Sequence, residues 1–467
     1  MNYLIKHSKK LLSLVLVLAL VTSCKDYQDL DVDPVDSGDA DFSSYVAVGN
    51  SLTAGFQNNA LYQSAQEYSF ANLLARQFNN GDDFSQPLIS NPGISPGGGR
   101  IELTSLDPIQ TTRNSSQGQP INQGDKAFSN LGIPGAILAD HVGAANFKDR
   151  ATNPSNPAYN PFYGIVMEQS ELQKSNPMLH NQVAKQNPTF ITFWLGNNDV
   201  LNFVTSGGEG QAPTDPNNFS QLYQGSAQEM AQTGANVVLY NIPDVTTIPF
   251  VFYLRLQLEQ QQAIRFNADT QSYQLAVPTQ QGTQYFDIYI ETDNGTRVMR
   301  QADFPILPAQ SYFSQIQAGE VTPPIDANGD GQPESAIPDN LVLDGPTGGP
   351  QGSSELEQAA GAVAQYNATI QNVASGSAFT LVDINSIFND IVSTFQSSGG
   401  QTGYQVDGLN LRPVPGELFS FDGVHPTNRG SAVIANKTIE AINNSLNSDL
   451  DKINVSKIPE DFPVASN

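Results

Sequence analysis

Apolar and polar positions along the chain change period several times, and each change marks an element. Tyr45-Val46-Ala47-Val48 is a short apolar run closed by Gly49, which predicts a buried strand over 45–48. SAQEYSFANLLARQF, residues 64–78, carries its apolar residues at helical spacing and predicts an amphipathic helix. Residues 79–126 lose that period and fill with Gly, Pro, Asn and Gln, the composition of a long loop-rich excursion. Order returns in AFSNLGIPGAILADHV (127–142), read as a short strand, a Gly-Pro turn and a helix. TFITFWLGNNDVL (189–201) predicts a buried strand ending in a polar loop. FSQLYQGSAQEMAQTGA then feeds NVVLYNIP as helix into strand, with Gly234 as the helix stop.

From about 247 to 350 the alternation stops and turn signals recur, which predicts an inserted subdomain. It resumes with a helix over 354–374, the strand FTLVDIN (379–385), a helix over 386–397 and a closing helix after Pro426. Strands alternating with helices predict an α/β fold: a mostly parallel sheet covered on both faces. The domain expected from this runs over 42–467, interrupted by the 79–126 excursion and the 247–350 insertion.

The first 24 residues stand apart. MNYLIKHSKK is basic and LLSLVLVLALV is apolar, but the run has about half the ~20 residues a bilayer span needs. It reads as an export signal. Val21-Thr22-Ser23-Cys24 resembles a bacterial lipobox, which implies that Cys24 becomes the lipidated first residue of an outer-membrane protein. Cys24 is the only cysteine, so no intrachain disulfide is available, as suits an oxidising compartment. Residues 25–41 carry seven aspartates and little to bury, an acidic tether similar to the surface-export segment of some Bacteroidetes lipoproteins. Surface display is the expectation drawn from that similarity. With 21 lysines and arginines against 46 acids, the net charge is −25. That argues against nucleic acid as a partner and against electrostatic adsorption to anionic lipid.

The strand at 45–48 ends on Gly49-Asn50-Ser51-Leu52, a small hydroxyl residue beside a glycine. A turn explains this, and so does a nucleophile held at a sheet edge, which would need a base, an orienter for the base and donors for an oxyanion. Of the four histidines, His7 lies in the leader, and His141 and His180 are read as solvated surface residues. His425 follows Asp422 by three residues in FSFDGVHPTNRG, with Gly423 between to allow a tight turn. That spacing lets the carboxylate reach Nδ1–H and leaves Nε2 free to take a proton. The same D-x-x-H spacing also suits a loop histidine with a local hydrogen bond. Candidate oxyanion donors are the Ser51 N–H, Gly135 in NLGIPGA and the Asn198 side chain in WLGNNDV. Singly, each of these is also an ordinary turn at a strand end.

Two other motifs compete. GISPG (93–97) matches the G-x-S-x-G elbow, but the residue after its serine is Pro96, which has no N–H to offer an oxyanion. DANGDG places Asp326, Asn328 and Asp330 like the start of a calcium loop, yet the twelfth position holds Ile337 instead of a bidentate glutamate. An Asx-rich surface turn is the alternative, with a weak structural calcium site the other reading.

The four blocks occur in the order Ser, Gly, Asn, Asp-x-x-His, and together they resemble the SGNH or GDSL hydrolase family. Gly49-Asn50-Ser51-Leu52 matches its first block with Asn50 in place of aspartate, Gly135 its second, Gly196-Asn197-Asn198-Asp199 its third and Asp422–His425 its fourth. The resemblance implies a flavodoxin-like three-layer α/β/α fold and ester hydrolysis through an acyl-serine, with Ser51, His425 and Asp422 as triad and no metal or other cofactor. It implies a small-molecule, lipid or glycan ester as substrate, with the lipolytic branch the nearer match. Two alternatives stand beside it: an O-acetylesterase acting on glycans, and a surface glycan-binding lipoprotein that uses the scaffold without cutting.

Overall fold

The computed structural model describes residues 36–465 apart from 80, 82, 107–108, 123–126, 144–146, 176, 347–353 and 377. Cys24 and residues 25–35 of the acidic segment lie outside the described residues. Five strands form the central sheet: β1 (Tyr45–Gly49), β2 (Asn130–Gly132), β3 (Phe190–Trp194), β4 (Asn236–Tyr240) and β5 (Phe379–Val382). Their order across the sheet is β2-β1-β3-β4-β5 and every pairing is parallel. Every residue of β1 and β3 is buried, so successive side chains find cover on opposite faces. This is an α/β fold with a flavodoxin-like order, as the sequence predicts.

Helix α1 (Ser51–Ala54) follows β1 directly, and α2 is Phe70–Gln77. Helices α3 (Asn198–Thr205) and α4 (Pro216–Ala231) follow β3, and α5 (Pro249–Gln260) follows β4. Further along come α6 (Ala309–Ala318), α7 (Glu355–Ala374), α8 (Ile384–Ser397) and the closing α9 (Asn428–Leu446). Helices α3 and α4 pack on α7, while α2 packs on α9. Residues 254–342 build a second apolar cluster of their own around Ile264, Ile288, Met299 and Phe313, with an antiparallel three-stranded sheet over 264–287. Among the described residues no helix is long and apolar enough to cross a membrane.

Three expectations need correction. The helix expected over 64–78 is interrupted, because Ser69 accepts the Asn72 N–H and caps a new start for α2. The helix expected after the Gly-Pro turn shrinks to one tight turn, Leu138–Asp140. His141 and His180 are not solvated surface residues. His141 is fully buried beneath Phe193, their ring centroids 4.9 Å apart, with neither ring nitrogen partnered. Burial, helped by the neighbouring His180, pushes its pKa down to about 3 and keeps it neutral. His180 is half-buried against it, its own pKa also lowered by burial, with Glu229 pulling the other way.

Candidate active site

In the order β2-β1-β3, the connections leaving β1 and β3 diverge, and a crevice opens at their carboxyl ends. Ser51 sits in that crevice because β1 stops dead. A Cβ on Gly49 would meet Thr53 Oγ1 at 2.0 Å, so only glycine lets the strand turn straight into α1. Asn50 caps the turn, its Oδ1 accepting the Leu52 N–H at 3.0 Å. The Asn50 side-chain nitrogen is buried without a partner.

His425 Nε2 lies 2.9 Å from Ser51 Oγ, and His425 Nδ1 lies 3.0 Å from Asp422 Oδ2. The two residues are 374 positions apart in sequence, so this contact is a product of the whole fold. Asp422 Oδ1 accepts the N–H groups of Val424 and His425, each at 2.9 Å, and Oδ2 accepts the Asn59 N–H at 2.8 Å. Burial alone would raise the Asp422 pKa. The adjacent imidazole and these N–H donors overcome that and hold it down to about 2. Gly423 makes the loop possible, with φ at +73° and a backbone too close to Phe250 for any Cβ.

Asn58 and Asn59 were not singled out from the sequence. Asn58 Oδ1 accepts the Phe421 N–H at 2.9 Å, its own N–H donates to Ser420 Oγ at 3.0 Å, and Asn59 reaches Asp422. Both have positive φ, 49° and 59°. Tandem asparagines were the available signal, since Asn tolerates that conformation better than most residues.

Gly135 and Asn198 line the same cleft as Ser51 and His425. The Ser51 N–H belongs to the first turn of α1, where backbone donors have no helical acceptor. Asn198 does not lie in a polar loop but opens α3, and its Nδ2 donates to the Ala136 carbonyl at 2.8 Å, leaving a second hydrogen on the same nitrogen. Next to it, Asp199 Oδ2 accepts the Leu138 N–H and Oδ1 the Thr214 hydroxyl, both at 2.9 Å. Burial pushes Asp199 up to about 6, although those donors oppose it. The loop that carries Gly135 is further held by Asp140, which accepts the Ile137 N–H and pairs with Arg150.

The competing motifs are absorbed locally. Ser95 is buried and donates to the Gly98 carbonyl at 3.1 Å. Asp326 accepts the N–H groups of Gly329 and Gly331, while Asn328 and Asp330 accept those of Asp330 and Gln332. These oxygens face their own turn, and among the described residues no group of three or more His, Cys, Asp or Glu side chains is arranged to hold a metal.

A family model described as GDSL-like lipase/acylhydrolase matches residues 45–341, more than half of the chain. The match spans the segments of Ser51, Gly135 and Asn198 and ends before Asp422. No curated protein matches in sequence. The crystal structure of an acetyl xylan esterase, AlAXEase, is similar over 85% of this chain and 98% of that chain, at 12% identity and a TM-score of 0.32. A likeness that distant bears on neither mechanism nor substrate.

Proposed function

The chain belongs to the GDSL-like lipase/acylhydrolase family and is a carboxylic ester hydrolase; from that premise we propose that Ser51, His425 and Asp422 carry the reaction through an acyl-serine. The observation that supports this most is the unbroken line from Ser51 Oγ to His425 Nε2 at 2.9 Å and from His425 Nδ1 to Asp422 Oδ2 at 3.0 Å. Asp422 holds the tautomer in which Nδ1 carries the proton, so Nε2 takes the Ser51 proton as Oγ attacks the ester carbonyl. The oxyanion is received by the Ser51 N–H, the Gly135 N–H and the second Asn198 amide hydrogen. Collapse breaks the C–O bond, and His425 returns its proton to the departing alcohol. A water, deprotonated by His425, then attacks the acyl-serine; the bond from the acyl carbon to Ser51 Oγ breaks, Oγ takes the proton back from His425, and the acid leaves.

Labelling with a fluorophosphonate tests this directly. The native protein should be labelled at Ser51 and hydrolyse p-nitrophenyl butyrate, and Ser51→Ala should lose both while keeping its far-UV circular dichroism. Turnover by Ser51→Ala at the native rate would remove the mechanism, and a native protein that neither labels nor turns over would favour a pure binding role. For location, we infer export and lipid anchoring at Cys24, on the basic-apolar-lipobox layout alone. Mass spectrometry of the mature N-terminus checks it.

A further inference from the structure

Within the 79–126 excursion, the strands Ile101–Leu106 and Ile109–Arg113 pair into an antiparallel ribbon. Its residues Ile101, Thr104, Gln110 and Thr111 line the cleft that holds Ser51 and His425. A two-stranded ribbon is marginal on its own, and this one leaves Thr104, Gln110, Thr111 and Thr112 in solvent. Something outside the ribbon has to hold it.

The holder is the far end of the chain. The Leu103 N–H donates to the Pro463 carbonyl at 2.7 Å, and the Leu103 carbonyl accepts the Ala465 N–H at 3.0 Å, a parallel bridge on the edge turned away from 109–113. On its way there the tail is anchored three times. Arg429, in the first turn of α9, donates from Nε to the Ile458 carbonyl at 3.2 Å and pairs with Glu460. Ser64 Oγ donates to Asp461 Oδ2 at 3.0 Å. The Phe462 ring centroid lies 6.2 Å from that of Phe421, the residue before Asp422. From the other side, the Asn58 carbonyl accepts the Ile101 N–H at 2.7 Å while Asn58 Oδ1 holds the Phe421 N–H. Ribbon and Asp-x-x-His loop are thus tied together twice, through Asn58 and through the tail.

The tail adds little to the core. The last member of the main apolar cluster is Ile458, and beyond it Phe462 is 38% and Val464 66% exposed. What the tail supplies is backbone pairing at Leu103. We propose that residues 459–465 form a specificity strap, fixing the ribbon as a wall of the cleft at a set distance from His425. An ester long enough to reach Thr104, Gln110 or Thr111 then meets a firm surface, whereas a short ester ends before it. The cleft already offers about 1560 Å³, so loosening the wall admits nothing new and forfeits contacts. The strap residues act through the ribbon and are positioning residues. This rests on the esterase reading and adds to it the part of the chain that senses substrate size.

The test compares small and large esters. Truncation after Ile458 removes the strap and spares the triad, and Ala465→Pro removes only the N–H that the Leu103 carbonyl accepts. On p-nitrophenyl acetate both variants should keep kcat and KM within about twofold. On p-nitrophenyl decanoate, large in its acid, or acetylated cellobiose, large in its alcohol, truncation should raise KM about tenfold with kcat nearly unchanged, and Ala465→Pro about threefold. Trypsin should cut after Arg113 faster in the truncated protein than in the native one. Val464→Asp should behave as native, because the bridge at 464 is made by backbone alone. If truncation costs the fold, Ala465→Pro decides. A ribbon as resistant to trypsin without the strap as with it would overturn the proposal. So would a loosened ribbon that leaves KM for both large esters unchanged, or a rise in KM equally large for acetate. Any of these with Ser51 still labelled leaves the esterase reading intact, whereas a native protein without labelling or turnover on every ester strikes that reading itself.

Discussion

Asp422 uses two oxygens for four hydrogen bonds: Val424 N–H, His425 N–H, Asn59 N–H and His425 Nδ1. Asparagine in its place has one acceptor oxygen, and its amino group facing Nδ1 selects the wrong imidazole tautomer. Asp422→Asn should therefore lower kcat on p-nitrophenyl butyrate by about three to four orders of magnitude with native far-UV circular dichroism, and lower the melting midpoint because the half-buried Asn59 N–H loses its acceptor. Asn198→Ala, which removes the donor proposed for the oxyanion, should lower kcat by about a hundredfold or more and leave KM nearly unchanged; an effect confined to KM would contradict the role. At this scale the sequence was informative because histidine is scarce and only His425 has a carboxylate three residues upstream. Asn58 and Asn59 escaped notice because their contribution is made by backbone groups and a single amide, which no residue-type spacing announces.

At the scale of elements, the central strands were legible because each is a short apolar run buried on both faces, the simplest of sequence patterns. The segment 133–142 misled for a physical reason. It has helical spacing, but the Ala136 carbonyl and the N–H groups of Ile137 and Leu138 are taken by Asn198, Asp140 and Asp199. Side chains, two of them from α3 and one from the segment itself, outbid the helix for its own backbone, and the result is the loop that carries Gly135. The same kind of clamp joins Asn58 to the Asp-x-x-His loop. Asn58→Ala strands the buried Phe421 N–H and should reduce unfolding free energy by about 1–3 kcal/mol. Urea melts measure that loss, and a companion fall in kcat would show that the clamp sets the position of Asp422. At the nucleophile turn, Gly49→Ala forces a Cβ into Thr53 and should impair folding and activity together, read by yield and by fluorophosphonate labelling.

The whole molecule responds to pH through groups outside the triad. Buried His141, held near 3 when folded against about 6.5 when unfolded, binds its proton more readily in the unfolded chain. Its effect is absent above about pH 6.5 and grows as pH falls toward 3, removing about 1.4 kcal/mol of stability per unit. Asp199 has the opposite sign. Its folded value near 6 lies above the unfolded 3.8, so it adds stability as pH falls through that window. The native protein therefore mixes the two, and the discriminating measurement is the difference between it and His141→Leu, which should be more acid-tolerant by about 2 kcal/mol from about pH 7 to about pH 5. Another long-range feature is how the two ends of the chain meet. Helix α9 starts beside His425 and runs 19 residues, about 28 Å, to Leu446, whose carbonyl accepts the Asp39 N–H at 2.7 Å. The described chain thus enters the domain, at Asp36 and Asp39, beside the end of α9 remote from His425. If the lipid anchor proposed at Cys24 is present, the length of α9 separates the point where the described chain enters the domain from the catalytic mouth.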